Sequence, residues 1–280
     1  MNEENNVKYY AKDKLCGCKG IRSCLLCETV DTATDLTTES KPLEIYEYCQ
    51  QCRSAWEYGQ HPDHGGSSIE FPGIYLQEEF ITEEQERDLC RQIDSTPFVD
   101  SQSGRRKQDY GPKVNFKKKK VKCEVFTGLP DYSQPLYKQL TTVLGMADFI
   151  PVELCNLEYV PERGSAIDPH FDDFWLWGER LVTINLLSDT ILRFTHTEKP
   201  DLEIHVKLNQ RSLVVVEAAA RHKWKHAIHR NDIKSRRLAM TFRELSAEFD
   251  DDGKNGSVGR KLKDIAFKFK GTAVGIKPEL

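Results

Sequence analysis

The order of sequence signals predicts an α+β domain, mainly β, built on an antiparallel double sheet of jelly-roll type. Flanking helices and a cysteine-rich N-terminal extension complete it. Three observations carry this prediction. Helix signals come first, six strand signals follow without a helix between them, and the first 70 residues hold six of the nine cysteines. Strands alternating with helices would instead have indicated a doubly wound parallel sheet.

Residues 1–70 form the expected extension, with few apolar clusters, a loop-like end GQHPDHGGSS, and weak or metal-dependent order. The main domain is expected over 71–280. FPGIYLQEEFI opens it as a strand, and Thr82 then caps a helix to about Asp94. Gln85 completes a capping box, and Leu89 and Ile93 share one face. A second helix is expected at 134–144, capped by Ser133, with Pro135 in its first turn and Gly145 ending it. Leu136, Leu140, Val143 and Leu144 line its buried side. The strands follow at 153–160, 179–187, 191–196, 202–208, 212–217 and 237–245, rich in β-branched and aromatic residues. A C-terminal helix around 258–269 presents Val258, Leu262, Ile265 and Phe269 to the body.

Composition narrows the function. The chain has 280 residues, 39% hydrophobic and 30% charged, with a formal charge of -4, so no global field drives it onto nucleic acid. No apolar run approaches the ~20 residues that span a bilayer. The N-terminal MNEENNVKYYAKDK lacks a signal core, which predicts a cytoplasmic protein with access to the nucleus. Nine cysteines in a reducing compartment then read as metal ligands or buried thiols rather than disulfides.

Chemistry concentrates in two places. AIDPHFDDFWLW places His170 two residues before Asp172, in what reads as a loop; His226 follows in WKHAI, between two expected strands. Two imidazoles and one carboxylate on one face of a metal leave three positions open and suit non-haem Fe(II). Arg237 and Arg243 lie six residues apart on one strand and therefore share a face. Two guanidiniums aimed into a jelly roll need anions, and a dicarboxylate would supply two. The bland alternatives are a polar loop for His170 and Asp172, a satisfied surface histidine for His226, and structural ion pairs for the arginines.

CNLEYVPERGSAIDPHFDD, followed by WKHAI and RRLAMTFREL, resembles the AlkB family of Fe(II)/2-oxoglutarate dioxygenases, and within it the animal homologue-four branch. The likeness extends through SGRRKQDYGPKVNF (103–116) and back to CGCKGIRSCLLCE (15–28). It implies a double-stranded β-helix core with a substrate lid around 95–125. His170, Asp172 and His226 would be the catalytic iron ligands. Tyr159, Arg237 and Arg243 would hold 2-oxoglutarate, Arg243 nearer the keto-acid end and Arg237 at the far carboxylate. The implied reaction is oxidative N-demethylation: dioxygen and 2-oxoglutarate are consumed, succinate and carbon dioxide leave, and the hydroxylated methyl departs as formaldehyde. Leu157 stands where relatives have an asparagine, Asn156 is one residue off, and Glu162 and Arg163 read as an insertion before Gly164.

The resemblance further implies monomethylated lysine on actin as substrate, with links to actomyosin, cytokinesis and the midbody, and N6-methyladenine in DNA. The rival reading is a non-catalytic interaction module that recruits actomyosin or chromatin. GRRKQDYGPKVNFKKKKVK (104–122) carries nine basic residues and one Asp. It is either a solvated surface or a phosphate-facing one, with Arg105, Arg106 and Tyr110 as candidate substrate contacts. Cys16, Cys18, Cys24 and Cys27 could wrap one zinc, and Cys49 and Cys52 could replace two of them. His61 and His64 have metal-like spacing but no assigned partners and read as a decoy; His196 and His205 read as ordinary sheet residues. Cys90, Cys123 and Cys155, like Trp175, Trp177 and Trp224, read as packing.

Overall fold

The computed structural model describes residues 16–19, 23–28, 43–59 and 61–275. Three strands come first, β1 (Glu44–Cys49), β2 (Ser54–Tyr58) and β3 (Gly65–Glu70). β4 (Ile74–Gln77) then leads into helix α1 (Glu83–Asp94). β5 (Val99–Asp100) and β6 (Arg106–Tyr110) precede a hairpin of β7 (Lys113–Asn115) and β8 (Lys120–Lys122), and then α2 (Ser133–Leu140). The core follows as β9 (Pro151–Tyr159), β10 (Ile167–His170), β11 (Trp177–Leu186), β12 (Thr190–His196), β13 (Leu202–Leu208) and β14 (Leu213–Val216). Helix α3 (Ala218–Lys223), β15 (Trp224–Ile228), β16 (Arg237–Leu245) and α4 (Gly256–Ala266) close the chain.

The strands form two seven-stranded sheets, ordered β10-β15-β12-β13-β1-β2-β3 and β4-β14-β11-β16-β9-β6-β5. The eight strands from β9 to β16 divide equally between them, which is the double sheet expected of a jelly roll. The space between the sheets is filled by Phe71, Phe194, Ile204, Val206, Val214 and Trp224, among others. On the outer face of the second sheet, α1, α2 and α4 pack Leu89, Ile93, Leu136, Leu140 and Leu262 onto Leu154, Ile184, Met240 and Phe242. None of these helices is long and apolar enough to cross a membrane.

The α1 capping box is present: the Gln85 amide donates to Thr82 Oγ1 at 3.2 Å and the Thr82 amide to Gln85 Oε1 at 2.8 Å. α2 departs from expectation. Ser133 lies inside the helix and donates to the Pro130 carbonyl rather than capping, and the helix stops at Leu140, leaving Leu144 83% exposed. The larger correction concerns residues 44–70. They were expected to be part of an extension of weak order, yet they form β1–β3 and lengthen the first sheet, with β1 pairing parallel to β13. Their side chains are mostly polar, so the pattern signal was weak; it is main-chain pairing with β13 that orders them.

β10 and β15 also differ from expectation, since their residues were read as loops. β10 is four residues long, contains Pro169 and lies at a sheet edge, the position where a strand tolerates proline. β15 is five residues of mixed polarity. They carry the two candidate metal-ligating histidines, with Asp172 two residues beyond β10.

Candidate active site

Antiparallel pairing of β10 with β15 sets His170 directly opposite His226, with ring centroids 4.3 Å apart. Asp172 follows two residues after His170, and the nearest ligand atoms of all three lie within 4.8 Å of one another. His170 Nδ1 is 2.8 Å from the Asp168 carbonyl, which uses that nitrogen as donor and turns Nε2 toward the centre. Burial, helped by the nearby His170, pushes the His226 imidazole down to about 3, so its lone pair is free at neutral pH. Burial alone would raise the Asp172 carboxyl; the Arg243 guanidinium, with the two neighbouring imidazoles, reverses this and holds it well below the usual carboxylate range. Two imidazoles and one permanent carboxylate are the donor set that suits Fe(II), so the residues present fit that ion.

A narrow inner cavity of ≈ 70 Å³ runs from this triad between the sheets. Leu157, Tyr159, Thr183, Arg237, Thr241 and Arg243 are among its walls. Arg237 is 2% exposed; its Nε donates to Asn185 Oδ1 at 2.6 Å and its guanidinium lies 4.9 Å from the Tyr159 ring centroid. No carboxylate within salt-bridge distance of Arg237 occurs among the described residues, and burial lowers the guanidinium. A buried cation held by an amide and an aromatic face is a seat for a ligand carboxylate. Arg243 differs. Its Nε donates to Asp172 Oδ2 at 2.7 Å and its Nη1 to Glu153 Oε2 at 2.5 Å. Its fork is thus committed to a ligand carboxylate of the triad and to one from β9.

An outer cleft of ≈ 830 Å³ opens on the other side of the triad. It is bordered by Arg105, Lys107, Asp109, Phe116, Phe171 and Trp177, together with His170, Asp172 and Arg243. β6 forms one wall, and strand alternation decides which of its side chains face the cleft. Arg105, Lys107 and Asp109 do. Arg106 and Tyr110 do not, which corrects their expected role as substrate contacts. Arg106 pairs with Glu158 and lies 5.6 Å from the Phe98 ring centroid; Tyr110 is 2% exposed and meets Tyr132 edge-on. The stretch was read as a charge run, solvated or phosphate-facing, and that hid this alternation. Asn156 also points away from the cavity, donating to Gln108 Oε1 at 2.9 Å and Tyr132 Oη at 2.7 Å. Leu157 takes the cavity-facing place beside Tyr159.

Several contributors carried no sequence signal: Asn185 behind Arg237, Glu153 behind Arg243, and the Thr183–Thr241 hydroxyl pair at 3.1 Å in the cavity wall. Arg221 was missed as well. It is 2% exposed, donates to the Asp172 carbonyl at 3.0 Å, and lies 4.4 Å from the Phe174 ring centroid.

No family model matches the chain. Individual proteins do. It is 45% identical over 290 residues to the Homo sapiens "Alpha-ketoglutarate-dependent dioxygenase alkB homolog 4", covering 92% of this chain and 95% of the relative. The chain belongs to the AlkB homolog 4 family. The Mus musculus AlkB homolog 4 is 43% identical, with 92% of this chain and 96% of the relative covered. A Caenorhabditis elegans protein named "DNA N6-methyl adenine demethylase" is 35% identical over 86% of this chain and 90% of its own. As an AlkB homolog 4 the chain is an Fe(II)- and 2-oxoglutarate-dependent dioxygenase. Iron supplies oxidation of the substrate by dioxygen, coupled to decarboxylation of 2-oxoglutarate. The chain supplies the rest. His170, His226 and an ionised Asp172 would hold the metal, Arg243 fixes the Asp172 orientation, and Arg237 lies buried in the wall of the inner cavity. The inner cavity and the outer cleft share His170, Asp172 and Arg243.

The cysteines form two groups. Cys16, Cys18, Cys24 and Cys27 bring their sulfurs within 4.8 Å of one another, and the first three are buried. Burial, together with the neighbouring thiols, pushes the Cys24 thiol up to about 12. This cluster docks near the cleft: the Leu25 amide donates to the Arg163 carbonyl at 3.3 Å, and Glu28 pairs with Arg230 at 2.7 Å. The apparent insertion Glu162-Arg163 is therefore part of the docking surface. Cys49, Cys52, His61 and His64 form the second group.

Proposed function

We propose that the chain is an oxidative N-demethylase in which His170, Asp172 and His226 hold iron, and Arg237 with Tyr159 holds the far carboxylate of 2-oxoglutarate. The observation that carries this is the triad at the junction of two cavities, the inner one lined by a buried arginine with no carboxylate partner among the described residues. The favoured substrate is N6-methyladenine in DNA. The name of the nematode relative, a DNA N6-methyl adenine demethylase, supports it, as does the exposed β7–β8 hairpin with its six lysines at the cleft rim. Monomethyl-lysine on actin, with the actomyosin and midbody roles the resemblance implies, is the second reading. It is favoured by the Asp173 carboxylate in the cleft floor, beside the paired Asp109–Lys107 and Glu153–Arg243, which suits a methylammonium. Both substrates place the enzyme in cytoplasm and nucleus. The Cys16–Cys27 cluster would hold a structural zinc that pins the N-terminal segment against the cleft loops.

The test is release of formaldehyde and succinate by the iron-loaded enzyme from methylated DNA and from methyl-lysine actin. Turnover of 2-oxoglutarate should vanish in His170→Ala and Asp172→Ala while the fold, followed by circular dichroism, persists. Wild-type-like turnover in either variant would refute the metal assignment; release from neither substrate would refute the substrate readings.

A further inference from the structure

Outside the active site and the Cys16–Cys27 cluster, a further set of converging ligand atoms sits on the β1–β3 meander. Cys49 ends β1 and Cys52 lies in the turn to β2, which is closed by the Arg53 amide donating to the Cys49 carbonyl at 2.8 Å. His61 and His64 lie in the loop between β2 and β3. Gly59 starts that loop at φ 87, and a side chain there would meet the Asp63 carbonyl oxygen at 2.4 Å. The loop can therefore fold back along β2, and it does. The His64 ring stacks on Trp56 with centroids 4.7 Å apart and 5° between planes. Cys52 Sγ and His61 Nδ1 approach to 3.4 Å.

Two sulfurs and two imidazoles thus converge, their ligand atoms within 4.8 Å of one another. The decisive detail is His64. Both its ring nitrogens are buried, and neither has a hydrogen-bond partner among the described residues. A buried imidazole with neither nitrogen partnered is a net cost to a folded protein unless something absent from the coordinates meets it. Trp56 fixes the ring plane, as a ligand's supporting shell should.

We propose that Cys49, Cys52, His61 and His64 bind one structural zinc ion. Two thiolates and two imidazoles complete a tetrahedron with no open position, the donor set of a structural site. The iron centre, with two imidazoles and a carboxylate, suits a different ion. The ion would clip the β1–β2 turn to the β2–β3 loop. That matters because a meander with strands such as GGSSIE buries little apolar surface, and short hairpins are marginal alone. It shares no ligand with the Cys16–Cys27 cluster. It also corrects two sequence expectations, that His61 and His64 are decoys and that Cys49 and Cys52 serve as spare ligands for the first cluster.

The test uses full-length protein and two readouts. Zinc content by mass spectrometry should fall by one equivalent per chain in His61→Ala, whose side chain is exposed, and in Cys52→Ser. In a Cys24→Ser background, cobalt substitution should still give the visible bands of a tetrahedral two-sulfur, two-nitrogen site. Independently of any variant, Cys49 and Cys52 in wild-type protein should resist alkylation until a zinc chelator is added. The proposal is overturned if His61→Ala keeps the wild-type zinc count, or if both thiols alkylate equally fast with and without chelator.

Discussion

Asp172 shows how much the chemistry asks of one side chain. One oxygen faces His170 at 3.5 Å and the other takes the Arg243 Nε at 2.7 Å, while its carbonyl takes Arg221 at 3.0 Å. A ligand so held keeps its charge and its direction. Arg237 is the complementary case, a cation waiting for an anion. In Arg237→Ala the KM for 2-oxoglutarate should rise by roughly 30-fold or more, since a buried charge pair is worth about 2–5 kcal/mol and each 1.4 kcal/mol is about tenfold. Steady-state succinate assays measure it, and an unchanged KM would remove Arg237 from the diacid. His226 gives a pH prediction. Its folded pKa is lowered to about 3 from the 6.5 of a free imidazole. Below pH 6.5 the unfolded chain takes up a proton that the folded chain refuses until about 3, so iron-free protein loses stability as pH falls through that window. Urea unfolding at pH 7 and 4.5 should show a smaller loss in His226→Gln than in wild type. The triad itself was legible because histidine and aspartate at that spacing, with a later histidine and paired arginines, form one pattern. Asn185, Glu153 and Arg221 were not, because their meaning comes only from which strands lie side by side.

At the scale of elements, the strands legible in the sequence are the apolar central ones, such as β13 and β16, whose observed bounds match the expected ones. β10 and β15 escaped because a metal-binding strand must be polar, so function erased the pattern that would have revealed it. The β1–β3 meander escaped for a related reason, its order resting on backbone pairing. β6 was hidden in a charge run, and its alternation now separates two neighbouring arginines. Arg105→Ala should raise the KM for the methylated substrate and leave uncoupled succinate formation intact, because Arg105 borders only the outer cleft. Arg106→Ala should instead cost about 1 kcal/mol of stability, the pair being half-open to solvent and Glu158 keeping Arg236 as a partner. Its kcat/KM should not change. A kinetic defect in Arg106→Ala equal to that of Arg105→Ala would show that the strand presents its other face to substrate.

The whole molecule is mildly acidic, with a formal charge of -4, and that sum conceals its working surface. The β7–β8 hairpin concentrates exposed lysines at the cleft rim, while the carboxylates lie deeper. Such a rim acts on a polyanion through counterion release, which grows with the number of phosphates neutralised rather than with net charge. If Lys117, Lys118, Lys119 and Lys120 each meet a phosphate, replacing all four by glutamine should flatten the log-log salt dependence of duplex binding by about 3 to 4, at roughly 0.9 per contact. Fluorescence anisotropy with methylated duplex across a salt series measures this slope. The hairpin residues border neither the triad nor the inner cavity, so uncoupled 2-oxoglutarate turnover should be unchanged in the same variant. That contrast separates a binding surface from a damaged fold. If the slope is unaltered and formaldehyde release from methylated DNA persists at full rate, the lysines are a solvated surface. If binding to duplex is absent in wild type as well, the acidic floor becomes the governing feature, and a methylammonium on a protein chain is the substrate it best accommodates.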